Sequence, residues 1–321
     1  MLVIAQENLE KFLGKLKEKF DFFDVKDDKL PFKKYFFPPI EEIFKSVKGK
    51  ISVAKPAKKF ILFGLPLPAL EALTYLDEIM RKPKEDFFYL QNRKQAIVIG
   101  LIDEEIDSMP GGDIIFQKIG DQYKVWAENA KAKKLIEKNK DFFKEREEAP
   151  VGNFVSLKTD NKGNLTETKV SDWSQSMREL LLDSELLANA VEWSWKNSPK
   201  IWEDLGQRCL GCGICTYVCP LCHCFSIEDK VGLDDKCSRC RKWDACTLPG
   251  FAKIAGGHSF RPTIKERYYN WFYHKFVRAY KEYGKSQCVG CGRCKKYCPA
   301  QIDIQEVLKN ILEEYKKEIQ K

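Results

Sequence analysis

The chain has 321 residues, enough for two domains and a sizeable buried core. Its longest apolar stretch, "FILFGLPLPALEAL", is broken by two prolines and a glutamate and cannot cross a bilayer as a continuous apolar helix, and "MLVIAQEN" has neither a basic leader nor a small-residue cleavage site, so a cytoplasmic protein without a membrane span is expected. The formal charge of +8 comes from lysines spread along the chain rather than from one basic stripe, which argues against a nucleic-acid partner.

Leu9, Phe12, Leu13, Leu16 and Phe20 follow helical spacing and open the chain with a helix. "KKYFFPPIEEIFKSV" reads as an extended piece stopped by proline and leading into a short helix. "KKFILFGL" reads as a strand and "LEALTYLDEIM" as a helix, whereas "FFYLQNRKQAIVIGLI" and "DIIFQKIGDQYKVWAEN" read as strands with tight turns. This pattern predicts a cysteine-free α/β domain over residues 1–170, ending in the linker-like "NKGNLTETKVSD". From there the pattern becomes helical. Met177, Leu180, Leu181, Leu187, Ala190 and Val191 form one stripe, and Ile304, Val307, Leu308, Ile311, Leu312 and Tyr315 form another, with Asp303 and Glu306 placed as a capping box. Six of the seven tryptophans lie in this second half, where core packing is their expected role.

All 13 cysteines lie at or beyond Cys209, and in a reducing compartment such clustering points to metal or redox chemistry rather than disulfides. "CLGCGICTYVCP" and "CVGCGRCKKYCP" both obey C-x2-C-x2-C-x3-C-P. Three thiolates on such a loop reach one [4Fe–4S] cubane, and in two-cluster ferredoxins the fourth ligates the other cluster. The expected sets are therefore Cys209, Cys212, Cys215 and Cys298 for one cluster, and Cys288, Cys291, Cys294 and Cys219 for the second. A single C-x2-C fits zinc, but two complete copies ending in Cys-Pro do not. Each oxidised cluster carries about −2 with its thiolates, so two would halve the positive excess. Gly211, Gly213, Gly290 and Gly292 are the expected cofactor-binding glycines, free to take positive φ and bring backbone N–H groups to the sulfurs. Arg293, Lys295 and Lys296 flank the second motif, either steering an acidic partner or forming a solvated face.

Cys222, Cys224, Cys237, Cys240 and Cys246 fall in a cysteine-rich insertion, residues 221–286, between the motifs. They can supply four ligands to a third iron–sulfur cluster or a zinc ion; the competing reading is that some are small buried apolar residues. For His223, a structural or exposed role is expected over ligation.

"WEDLGQRCLGCGICTYVCPLCHCF", "RKWDAC", "GGHSFRP", "YHKF" and "CVGCGRCKKYCPAQIDI" resemble the iron–sulfur beta subunit of cytosolic sulfhydrogenases, a family that includes the matching iron–sulfur component of anaerobic sulfite reductase. "KKYFFPPIEEIF" and "FILFG" resemble that family's N-terminal domain. The resemblance is specific over residues 202–304 and weaker before residue 150. It implies an α+β chain, with the N-terminal α/β domain followed by an α-helical ferredoxin-like domain over residues 171–321 carrying two [4Fe–4S] clusters at the eight motif cysteines. It also implies a non-catalytic electron carrier in a hetero-oligomer, between a flavin/NAD(P)-binding subunit and a catalytic hydrogenase or sulfite reductase subunit. Two departures stand out: "FILFG" continues as "LPLPALEAL" where the family has Pro-Cys-Asp, and Cys237 and Cys240 look like additions.

Three functions compete: an electron-transfer subunit of a hydrogenase or anaerobic sulfite reductase, a disulfide or sulfur reductase acting at the extra cysteines, and a zinc-stabilised interaction module. The chain has no G-x-G-x-x-G, P-loop or metalloprotease motif, which weakens the second, and its two full ferredoxin motifs weaken the third. The first domain is expected to serve as a docking platform.

Overall fold

A computed structural model describes residues 1–26, 28–146, 157–159, 165–167, 172–233 and 235–321. The chain forms two compact units: Met1–Phe37 with Lys55–Val170, and Pro38–Ala54 with Ser171–Lys321. Helices and strands are mixed. In chain order, β1 (Leu2–Ala5), α1 (Gln6–Lys17) and β2 (Asp21–Asp24) begin the first unit. A hairpin of the second unit follows, β3 (Ile40–Val47) and β4 (Lys50–Val53). The first unit resumes with β5 (Phe60–Leu65), α2 (Leu67–Ile79), α3 (Phe87–Gln95), β6 (Ala96–Ile102), β7 (Ile114–Ile119), β8 (Gln122–Trp126), α4 (Ala130–Glu137) and β9 (Lys144–Glu145). The short strand β10 (Leu157–Thr159) precedes the linker-like stretch and pairs with β11 (Leu165–Glu167) within it; the rest of that stretch lies outside the described residues up to Asp172.

The first unit is a seven-stranded sheet in the order β2-β5-β6-β7-β8-β1-β9, parallel from β2 to β7 and antiparallel beyond. Its interior strand β5, "FILFGL", is buried at every position, as a parallel strand covered on both faces requires. Phe12 and Leu16 of α1 pack on one face with Ile61, Ile99 and Phe116. Gly100 lets α2 approach the sheet: a Cβ there would lie 2.7 Å from Leu70 Cδ1. The expected strand "FFYLQNRKQAIVIGLI" is instead a helix joined to a strand. Asp86 caps α3 by accepting the Tyr89 N–H at 2.9 Å, and only the β-branched run after Gln95 is extended.

The second unit continues with α5 (Asp172–Leu182), α6 (Ser184–Asn197), α7 (Pro199–Arg208), α8 (Ile214–Tyr217), β12 (Phe225–Val231), β13 (Lys236–Trp243) and α9 (Ile264–Phe272). After a π-helical turn over Tyr273–Arg278 come α10 (Ala279–Tyr283), α11 (Arg293–Lys296) and α12 (Ile304–Ile319). Met177, Val191, Trp202, Trp271, Phe276, Leu308 and Ile311 are the heart of its helical core. Asp303 caps α12 through the Gln305 N–H at 2.9 Å, but the expected reciprocal box with Glu306 is not formed. Its carboxylate accepts the Trp173 indole N–H at 2.9 Å and meets Lys295 Nζ at 2.6 Å.

The expected helix in "PPIEEIFKSV" is strand β3, and residues 38–54 belong with the second unit rather than with a first domain running unbroken over residues 1–170. Pro38 and Pro39 hold the chain extended, and Lys48 and Gly49 both take positive φ, 50° and 75°, in a two-residue hairpin turn. β3 then pairs with β13 in the sheet β12-β13-β3-β4. A buried ion pair joins the two strands: Arg241 donates to Glu41 Oε2 from Nη2 at 2.6 Å and from Nε at 3.1 Å. Removing one member of such a pair costs about 3 kcal/mol. Glu41→Ala is thus expected to speed amide exchange across residues 38–54 roughly hundredfold, read by hydrogen-exchange mass spectrometry, while α1 and β5 keep their protection. Unchanged exchange in β3 would contradict this reading.

Candidate metal centres

The repeated sequence makes a repeated backbone. α7 ends at Arg208 and Cys209 caps it. Gly211 and Gly213 then take φ of 61° and 77°, and α8 carries Cys215. In the second copy Gly290 and Gly292 take φ of 65° and 68°, and α11 carries Cys294. A Cβ at Gly213 would lie 2.9 Å from the Ala245 side chain, so close approach as well as positive φ requires glycine there. The short helices α8 and α11 pack together, which brings the two copies side by side.

One cavity is lined by Cys209, Cys212, Cys215, Cys294 and Cys298, together with Tyr268 and Ile302. Cys298, the last cysteine of the second copy, thus stands with the first three of the first. Backbone donors face these sulfurs: Gly211 N–H points to Cys209 Sγ and Ile302 N–H to Cys298 Sγ, both at 3.4 Å. Cys219, the last cysteine of the first copy, lies close enough to Cys288, Cys291 and Cys294 to raise all three thiols electrostatically, after the larger effect of burial. Burial pushes the Cys215 and Cys291 thiols up to about 12, so uptake of a metal there must displace protons. None of the cysteines is in a disulfide. Clustered cysteine sulfurs, with backbone N–H groups at Cys209 and Cys298, suit iron–sulfur clusters.

No sequence pattern singles out Lys275, although "YHKF" carries part of the resemblance. It is buried, at 3% exposure, and donates from Nζ to Cys219 Sγ at 3.3 Å and to Gln287 O at 2.8 Å. Burial alone would lower its pKa, but the sulfurs of Cys219, Cys222, Cys288 and Cys294 outweigh this and hold it well above the ordinary lysine value. The cation also sits 5.2 Å from the centre of the Trp271 ring. Among the flanking basic residues, Lys295 pairs with Asp303 and Arg293 donates to Val218 O at 3.0 Å, while Lys296 is exposed beside an open groove that also includes Trp173 and Cys291.

The five extra cysteines do not converge on one point. Cys237 is exposed on β13 opposite Val231 and Ser46, and Cys240 is buried opposite Glu228 and Glu42. Cys222 is buried near Lys275. Cys224 and Cys246 do meet, with His274 as the third member. A hydrogen bond from Cys246 holds Cys224 well below the ordinary thiol value, and the same contact with burial holds Cys246 well above it. His223 Nδ1 instead lies 3.2 Å from Leu221 O and 3.3 Å from Gln287 Nε2, a structural position.

Comparison with known proteins bears on this site. The family model described as a 4Fe-4S dicluster domain matches residues 208–302. Fold and site thus define an iron–sulfur protein of the dicluster type. Sulfhydrogenase 2 subunit beta of Pyrococcus furiosus is 30% identical over 295 residues, covering 88% of this chain and 83% of that protein. The chain belongs to the family of sulfhydrogenase iron–sulfur beta subunits, and it is an iron–sulfur electron-transfer subunit of a multi-subunit complex. No solved structure matches it. Among the described residues no helix is long and apolar enough to cross a membrane.

A buried cation on a ligand sulfur stabilises the reduced, more negative state of the centre that the sulfur binds. Lys275→Met is expected to lower that centre's reduction potential by on the order of 50 mV, with Lys275→Arg shifting it less, in an EPR-monitored redox titration. An unshifted or raised potential in Lys275→Met would show that the lysine does not tune the centre.

Proposed function

We propose that this chain relays electrons between a flavin/NAD(P)-binding subunit and the catalytic subunit of a cytoplasmic [NiFe] hydrogenase complex, and that it carries two [4Fe–4S] clusters. In this reading Cys209, Cys212, Cys215 and Cys298 hold one, and Cys288, Cys291, Cys294 and Cys219 the other. The observation that supports it is the placement of Cys298 in the cavity lined by Cys209, Cys212 and Cys215, and of Cys219 close to Cys291. When bound, such clusters supply one-electron redox chemistry without an open coordination site for substrate. The chain's own residues then have definable tasks. Gly211 and Ile302 offer N–H groups to the sulfurs of the first set, and Lys275 offers a charge to the second. Lys296 and its groove give an acidic partner an electrostatic target near Cys291. The first unit, which contains no cysteine, is assigned to docking. The hydrogenase assignment takes its support from the relative, whose name is that of a sulfhydrogenase subunit.

Cys298→Ala in the full-length protein should reduce iron from about eight to about four atoms per chain and remove the EPR signal of the cluster held by Cys209, Cys212 and Cys215. Loss of the other cluster's signal would refute the exchange. The isolated chain should accept and donate electrons yet show no steady hydrogen, sulfur or sulfite turnover; sustained turnover would favour an enzyme acting at the extra cysteines.

A further inference from the structure

We infer that Cys224, Cys246 and His274 form a mononuclear zinc site, separate from the two sets of motif cysteines. The two sulfurs and a ring nitrogen of His274 all lie within 4.8 Å of one another. Around one tetrahedral zinc, with bonds of about 2.3 Å to sulfur and 2.0 Å to nitrogen, ligand atoms stand roughly 3.5–3.8 Å apart. A cubane holds its thiolates outward on separate iron corners, farther apart than this. The grouping therefore suits a single ion. Two thiolates with one imidazole suit zinc in particular, and three protein ligands leave one position for water.

The fold builds this site from three places. Cys224 immediately precedes β12 and Cys246 follows β13, so both stand at the base of one hairpin, closed by Asp244 N–H to Cys224 O at 3.0 Å. His274 comes from the π-helical turn that follows α9. Widened turns of this kind recur at functional sites because they re-aim successive side chains. Here His274 faces the hairpin base while its neighbour Lys275 reaches Cys219. Cys246 is buried, at 2% exposure. An ion here clamps the hairpin to the helix that carries Lys275, and zinc, which has no redox chemistry, does so without joining the electron path.

The site also revises what the sequence suggests. Cys222, Cys237 and Cys240 are not part of it, and its third ligand, His274, lies in the insertion outside any cysteine motif that would mark it.

The test uses full-length holoprotein purified anaerobically with zinc supplied, measured by elemental analysis and zinc-edge X-ray absorption. Expected are about one zinc per chain, two sulfurs at about 2.3 Å and nitrogen at about 2.0 Å. His274→Leu should lose zinc at least roughly tenfold with iron per chain unchanged, and His274→Cys should retain zinc with a third sulfur in its shell. Wild-type protein without zinc, a Cys224–Cys246 disulfide, zinc retained in His274→Leu, or iron lost together with zinc would each overturn the site. The wild-type iron content separately tests the two-cluster reading, so failure of one leaves the other distinguishable.

Discussion

Placing many thiolates inside a helical core is the constraint on which the second unit depends. Each sulfur carries charge once a metal is bound, and a buried charge must find a partner. The chain answers with backbone N–H groups at Cys209 and Cys298 and with the ammonium of Lys275 at Cys219. That ammonium is itself tolerated because sulfurs, the Gln287 carbonyl and the Trp271 ring surround it. The glycines follow from the same demand, since only tight loops with positive φ bring N–H groups so near the sulfurs. Cysteines of both motifs pack against the aromatic core of Trp202, Trp271, Phe272 and Phe276.

The eight motif cysteines and four glycines were legible because spacing alone encodes their loops. The repeat also motivates the proposed exchange of fourth cysteines, since in two-cluster ferredoxins the last cysteine of each motif ligates the other cluster. Helices α6 and α12 were legible from their apolar stripes. Strand β5 and helix α2 were legible from a continuous apolar run followed by helical spacing.

What escaped the sequence depends on long-range contact. The stretch 40–47 has acidic residues that suit a helix, and only pairing with β13, nearly 200 residues later, makes it a strand. The Lys48-Gly49 turn was the available local signal. Residues 87–95 are rich in aromatic residues but end in polar helix formers, and Asp86 marks the cap. Lys275 and His274 were hidden for a different reason: a π-helical turn cannot be read from α-helical periodicity, so neither side chain could be assigned a direction. The "YHKF" motif was visible, but its use was not.

The central claim is that two [4Fe–4S] clusters sit close together because each motif contributes its last cysteine to the other. Close paramagnetic centres interact, so EPR of the fully reduced full-length chain tests this directly. The account predicts a broadened, spin-coupled spectrum integrating to about two spins per chain. A single sharp spectrum integrating to about one spin would contradict it.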